Sequence, residues 1–183
     1  MRVLLVCGLG AAIVLSGCRG TPSSADRTAA PPQSATSAVA ARTATVTRIV
    51  DGDTIDVRLG SARERVRLIG IDTPESVKPD SPVECFGPEA SSQLGRLIPV
   101  GTEVELVRDA EIRDPYDRLL AYVFRHSDGL FVNLSMAGDG YAGVLSIAPN
   151  TTFADDFRAA VAQARGHRIG LWGACPNPDS LFG

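Results

Sequence analysis

The chain has 183 residues, 44% of them hydrophobic and 21% charged, with a formal net charge of -3. That length allows one domain or two small ones, and the composition excludes a wholly disordered or collagen-like chain. The acidic balance excludes a protein that holds nucleic acid by bulk positive charge, but not an enzyme whose bound cation supplies the missing charge.

The charge is unevenly spread. Residues 1–42 hold four arginines and one acid, which leaves 14 basic and 20 acidic residues beyond them. Arg2 precedes an apolar and small-residue run from Val3 to Leu15. As a helix that run reaches about 20 Å, short of the roughly 30 Å hydrocarbon core of a bilayer, so it reads as a signal-peptide core rather than a span. It ends in Leu15-Ser16-Gly17-Cys18, which resembles a bacterial lipobox. The resemblance implies cleavage after residue 17 and a lipid on Cys18, which would anchor the chain to a membrane outside the cytoplasm. Residues 18–42 are rich in Ala, Ser, Thr and Pro, have no hydrophobic period and read as a flexible tether. The folded body is expected over 43–175, with a short tail at 176–183.

Within the body, Thr43 to Val50 is β-branched and alternating, hence strand-like. Asp51-Gly52-Asp53 is a turn, and Thr54 to Leu59 alternates again, with Ile55, Val57 and Leu59 on one face. Glu64 to Ile71 reads as a third strand, with Val66, Leu68 and Gly70 facing one way and Arg65, Arg67, Ile69 and Ile71 the other. Pro74 stops it. Ser76 to Cys85 is loop-like. Pro88 to Ile98 reads as a helix with Glu89 in its first turn. Thr102 to Arg108 and Arg118 to Phe124 are further strands, the second preceded by the turn Asp114-Pro115-Tyr116-Asp117. Phe131 to Gly138 is a short helix, Tyr141 to Ile147 is extended, and Phe153 to Arg165 is an amphipathic helix with Phe153, Phe157 and Val161 at four-residue spacing. Short strands followed by helices suggest a compact β-barrel with helices packed outside.

Cys7 falls in the leader and Cys18 at the lipobox, leaving Cys85 and Cys175. Outside the cytoplasm an even pair reads as a disulfide, the alternative being two free buried thiols.

Three clusters carry chemistry: Asp51-Gly52-Asp53-Thr54, then Arg67 to Glu75, then Asp117-Arg118. Acids at turns and strand ends can converge at one edge of a barrel. Three carboxylates with a backbone carbonyl suit a hard cation such as calcium, and two arginines can fork onto phosphate oxygens. Taken singly, Asp53 reads as a turn residue and Arg67 as a surface arginine. No Ser–His or Cys–His pair is evident, and His126 and His167 lie outside these clusters.

Taken together, the pieces VDGDT (Val50 to Thr54), RLIGIDTPE (Arg67 to Glu75), FGPEA (Phe86 to Ala90), DPYDRLLAYV (Asp114 to Val123), VNLSMAGDGYA (Val132 to Ala142) and GLW (Gly170 to Trp172) resemble the staphylococcal nuclease family, in family order. The resemblance implies an α+β fold, mainly β with α, in which three helices pack on a five-stranded OB-fold barrel. It implies calcium-dependent hydrolysis of DNA and RNA, leaving 3′-phosphates. On matching positions, Asp53 and Asp72 become calcium carboxylates, Thr73 offers its carbonyl, and Glu75 activates or orients the attacking water. Arg67 and Arg118 bind the phosphate, with Tyr116 and Lys78 as substrate contacts. Asp117 stands where the family often has glycine, a turn that Asp tolerates. The stretch Val144 to Pro149 lacks the tyrosines the family often places there, and the loop Ser76 to Cys85 holds one lysine, so weaker polynucleotide binding is expected. A monomer is expected. The alternative is a catalytically silent OB-fold module that binds nucleic acid, or an envelope domain that calcium merely stabilises. Loss of Glu75 or either arginine would favour it, and all three are present.

Overall fold

The structure is a computed structural model and describes residues 41–76 and 82–182. The leader, Cys18 with its expected lipid, nearly all of the tether and Lys78 lie outside the described residues.

Strands β1 (Arg42–Ile49) and β2 (Thr54–Leu59) pair antiparallel across the Asp51-Gly52-Asp53 turn, with a register shift in β1 between Val46 and Arg48. Such a bulge bends the strand as barrel closure requires. Ile55, Val57 and Leu59 are all buried, as their alternation predicts. Strand β3 (Ala62–Leu68) continues the meander.

The expected single strand over Glu64 to Ile71 is two strands. β3 ends at Leu68, and a separate β4 (Gly70–Asp72) follows. Gly70 takes φ +88°, and a Cβ there would lie 2.1 Å from the Phe157 ring. The residue therefore supplies both a left-handed backbone and room for an aromatic ring to press on the chain. The alternation expected across this segment also fails. Every residue from Val66 to Ile71 is buried, because helices and a second small sheet cover the face left open by the strand pattern.

Helix α1 (Gly87–Leu97) has Pro88 and Glu89 in its first turn, where a missing N–H and a negative charge are both favourable. It buries Ala90 and Leu94. Strands β5 (Glu103–Val107) and β6 (Leu119–Arg125) form an antiparallel pair. β5 also pairs with β1, and β6 lies parallel to β3, so the order β1-β2-β3-β6-β5 closes into a barrel. Closure removes exposed edges. Helix α2 (Val132–Gly138) packs on β6 and α1. Strand β7 (Gly143–Leu145) pairs with β4 as a two-stranded sheet, and helix α3 (Ala154–Gly166) lies over α2 and that sheet. A one-turn helix α4 (Leu171–Ala174) and a 3-10 turn at Pro178–Leu181 complete the described chain.

Two polar anchors join helices to barrel. Asn133 of α2 is fully buried; its side-chain oxygen accepts from Val123 N at 2.9 Å, and its amide donates to Ile69 O at 2.9 Å. It therefore holds the β3–β4 break against β6, and a buried amide satisfied on both sides costs little. Asp109 accepts from the Tyr122 hydroxyl at 2.8 Å and from the amide and hydroxyl of Thr152. Burial pushes its carboxyl up, but these donors outweigh it and hold it below the ordinary range. The contact pins the segment entering α3 to the barrel, where Tyr122, Phe131, Phe153 and Phe157 form an aromatic cluster of edge-on contacts and one stacked pair, Tyr122 with Phe157.

Cys85 and Cys175 form a disulfide across 90 residues, tying the loop before α1 to the end of α4. Closing a loop of that length contributes about 4–5 kcal/mol in the chain-entropy model. The tail is packed: Phe182 lies 5.7 Å from Trp172, ring centre to ring centre, and Arg165 of α3 pairs with Asp179.

Candidate active site

The Asp51-Gly52-Asp53 turn closes on itself: Asp53 N donates to Asp51 Oδ1 at 3.1 Å. Gly52 is required by close approach, since a Cβ would meet Thr73 Oγ1 at 2.7 Å and the Ala90 Cβ at 2.8 Å. The turn thus seats on the segment after β4 and places Asp53 inside the protein, 6% exposed. Asp53 Oδ1 accepts from the Thr54 hydroxyl, and Oδ2 accepts from Thr73 N at 3.1 Å and the Thr73 hydroxyl at 3.2 Å.

Arg67 is not a surface arginine. Its Nη2 pairs with Asp53 Oδ2 at 3.0 Å and with Asp72 Oδ1 at 2.8 Å. Its Nη1 donates to Leu68 O at 2.6 Å and Ile71 O at 2.9 Å. The carbonyls are available because the chain breaks at Ile69, so the β3–β4 irregularity and the buried guanidinium belong to one arrangement. One cation is shared between two acids, and the surroundings stay electron-rich. Burial and then the neighbouring Asp53 raise Asp51 to about 6. Burial also raises Asp72, against the pull of Arg67, with Asp53, Glu84 and Glu75 adding to the rise. Crowded carboxylates of this kind stabilise a bound cation.

Glu75 follows on the loop. Its Oε1 accepts from Ser76 N at 3.0 Å, and its amide donates to Glu84 Oε2 at 2.8 Å. Glu84 N returns a bond to Glu75 O at 2.9 Å. The backbone of Glu75 is therefore fixed from the far side of the loop.

Arg118 enters from the turn before β6. Asp114 Oδ2 accepts from Arg118 Nε at 2.6 Å, while Oδ1 accepts from the amides of Arg118 at 2.9 Å and Tyr116 at 3.0 Å. Burial pushes the Asp114 carboxyl up, but the Arg118 amide and guanidinium hold it below its ordinary range. Asp117 sits at φ +64°, the left-handed conformation expected at this position. The Arg118 guanidinium lies 5.6 Å over the Tyr116 ring, which stands 81% exposed at the rim.

Asp53, Arg67, Asp72, Thr73, Glu75, Tyr116 and Arg118 all line one cleft of about 450 Å³. The predicted catalytic, metal and substrate residues among the described ones thus line one cleft, whereas Lys78 lies outside the described residues and Cys85 and Cys175 pair elsewhere. Three residues carry more than the sequence reading assigned. Asp51 lines the cleft, Asp114 aims Arg118, and Glu84 fixes Glu75. An acid opening the turn before Arg118 is a local signal that could have flagged Asp114; nothing local marks Glu84. Where aromatic side chains are missing from the stretch before α3, the cleft has Leu145 and Ile147 instead, both exposed. His126 is exposed and pairs with Glu105.

As a test of fit for a cation, all candidate donors are hard oxygens: the carboxylates of Asp53 and Asp72 and the carbonyl of Thr73. Arg67 engages one oxygen of each acid and leaves the other. Among the described residues no three acidic, histidine or cysteine side chains form a ready cage. Two carboxylates and a carbonyl fit calcium, which takes six to eight oxygens and can draw the rest from water and substrate.

A family model described as "Staphylococcal nuclease homologue" matches residues 65–174, the stretch holding Arg67, Asp72, Glu75 and Arg118. The chain belongs to the staphylococcal nuclease family. This member is 38% identical over 127 residues to the thermonuclease of Staphylococcus intermedius, covering 69% of this chain and 74% of that one. It is 35% identical over 127 residues to the thermonuclease of Staphylococcus hyicus, covering 69% and 73%. It is 37% identical over 130 residues to endonuclease YncB of Bacillus subtilis (strain 168), covering 70% of this chain but only 60% of YncB. Family membership makes the chain a hydrolase of the nuclease class, and its barrel with packed helices fits that family's fold.

Proposed function

We propose that this chain is a calcium-dependent nuclease that hydrolyses phosphodiester bonds of both DNA and RNA, as a monomer at the cell envelope, leaving 3′-phosphate products. The single observation that carries the reading is the convergence of two arginines, two buried or part-buried aspartates and Glu75 on one cleft.

Asp53, Asp72 and the Thr73 carbonyl would hold the cation. When bound, calcium polarises a phosphoryl oxygen and offsets substrate charge. The remaining work belongs to the side chains. Arg67 and Arg118 bind the phosphate oxygens and stabilise the charge that accumulates as the water oxygen bonds to phosphorus. The networks that clamp both guanidiniums pre-orient them, so little ordering remains for the reacting state. Glu75 accepts a proton from the attacking water or holds it in line. The P–O5′ bond breaks, O5′ takes a proton to become a hydroxyl, and the phosphate stays on the 3′ side.

Digestion of single-stranded DNA and of RNA, followed by analysis of the fragment ends, tests the reaction. Ends carrying 3′-phosphate and 5′-hydroxyl are expected from both polymers; 5′-phosphate ends would overturn it. The envelope assignment rests on Leu15-Ser16-Gly17-Cys18 after a short apolar run. Mass spectrometry of the membrane fraction should find a mature chain beginning at a lipidated Cys18, and an unmodified soluble chain would refute it.

A further inference from the structure

Strand β3 carries arginine at alternate positions, Arg63, Arg65 and Arg67. Alternate residues project from one face and stand about 7 Å apart along the strand. Arg67 is the buried cleft residue, whereas Arg65 and Arg63 are exposed and line a second groove together with Arg48, Arg58, Arg113 and Arg118. That groove holds six arginines against three acids, a positive surface on an otherwise acidic body. Tyr116 and Arg118 line both the cleft and the groove, so the two are continuous.

Part of this positive charge is paired internally. Asp56 takes both Arg48 and Arg65, and Glu64 takes Arg113. Arg58 and Arg63 are different. They are direct cross-strand partners on β2 and β3, both are exposed, and among the described residues neither has an acidic partner. Like charges placed opposite each other destabilise a sheet. Folding gives no reason for the pair, but an anion spanning both does.

We propose that this groove is a track for the backbone of a single-stranded polynucleotide, with Arg58 and Arg63 holding phosphates beyond the one in the cleft. The proposal rests on the nuclease reading for its choice of ligand. Arginines about 7 Å apart along one strand can each take a different phosphate of the same polynucleotide chain. A positive groove running out of a phosphodiester site is what tracks such a backbone without reading its sequence.

The test uses the full chain and the double variant Arg58→Gln with Arg63→Gln, both positions being exposed. Fluorescence anisotropy is read on labelled oligothymidylates of about twelve and about three nucleotides, with calcium chelated so that nothing is cleaved. The variant is expected to bind the long strand about ten-fold more weakly, lowering the long-to-short affinity ratio by the same factor. Its salt slope on the long strand should be shallower by about 1.4, two phosphate contacts at about 0.7 each. Unchanged long-strand affinity and salt slope would overturn the track. So would a variant that keeps long-strand affinity but loses binding to phosphatidylserine vesicles, which would make the face a lipid-headgroup surface. Because cleavage is off, a wild type that hydrolyses nothing when calcium is added would sink the nuclease reading, yet a long-strand deficit in the variant would still support the track.

Discussion

Replacing Arg67 with alanine is expected to lower kcat/KM on single-stranded DNA by about a thousand-fold or more. On the proposed mechanism the side chain has two functions, and they separate. As a donor aimed at developing phosphoryl charge it is worth about 10²–10⁵ in rate, by analogy with oxyanion donors and arginine fingers. As the counter-charge to Asp53 and Asp72 it also holds the cleft together. Removing one partner from a buried ion-pair network costs about 3–5 kcal/mol, and the lower figure applies because the Asp72 side chain is 36% exposed. Urea unfolding reads the second loss and steady-state kinetics the first. Arg67→Lys distinguishes them, for lysine restores the charge but not the fork that reaches two acids and two carbonyls. The lysine variant should recover much of the stability while activity stays at least a hundred-fold down. A folded Arg67→Lys enzyme within ten-fold of wild type would show that a point charge suffices and that the fork is not what the reaction uses.

The second large effect is expected at Glu75. Glu75→Gln keeps the shape and an oxygen to accept from Ser76 N, and removes the ability to take a proton. General-base contributions run at about 10²–10⁴, so kcat should fall by that factor with KM changed little. Stability should stay within about 1 kcal/mol, since the backbone bonds to Glu84 do not involve the substituted group. A kcat within three-fold of wild type would remove Glu75 from the chemistry and leave it a loop residue.

Much of this was legible in the sequence because it is local. Alternation placed β1, β2 and β5, and the four-residue spacing of apolar side chains placed α3, because one buried face is enough to set each period; β6, buried throughout from Leu119 to Val123, is marked instead by an apolar run after a turn. Arg67 shows where local reading stops. On its strand it faces away from Val66 and Leu68, which is the pattern of an exposed residue. It is buried because β4 folds back and pairs with β7, an event driven by Gly70 and by Phe157, nearly ninety positions away. The parallel pairing of β3 with β6 likewise has no local signature. The motif order pointed to the same residues through likeness to a family, and the structure places them around one cleft. Asp51 and Asp114 lay inside segments already singled out, but their functions depend on distances to Asp53 and Arg118 that no spacing encodes. The expected weakness of polynucleotide binding was drawn from one loop and from absent tyrosines; the arginines of β2 and β3 lie elsewhere on the barrel.

On the proposed reading an acidic protein handles a polyanion because Asp53, Asp72 and Thr73 would hold a cation beside Arg67 and Arg118. Hydrolysis of single-stranded DNA by the purified chain, measured after chelation and then on calcium add-back, tests this beside isothermal titration of calcium into wild type and Asp53→Ala. Loss of cleavage on chelation, recovery on add-back, and weakened calcium binding in the variant are the predicted result. Undiminished cleavage in chelator, or full calcium affinity without Asp53, would contradict it.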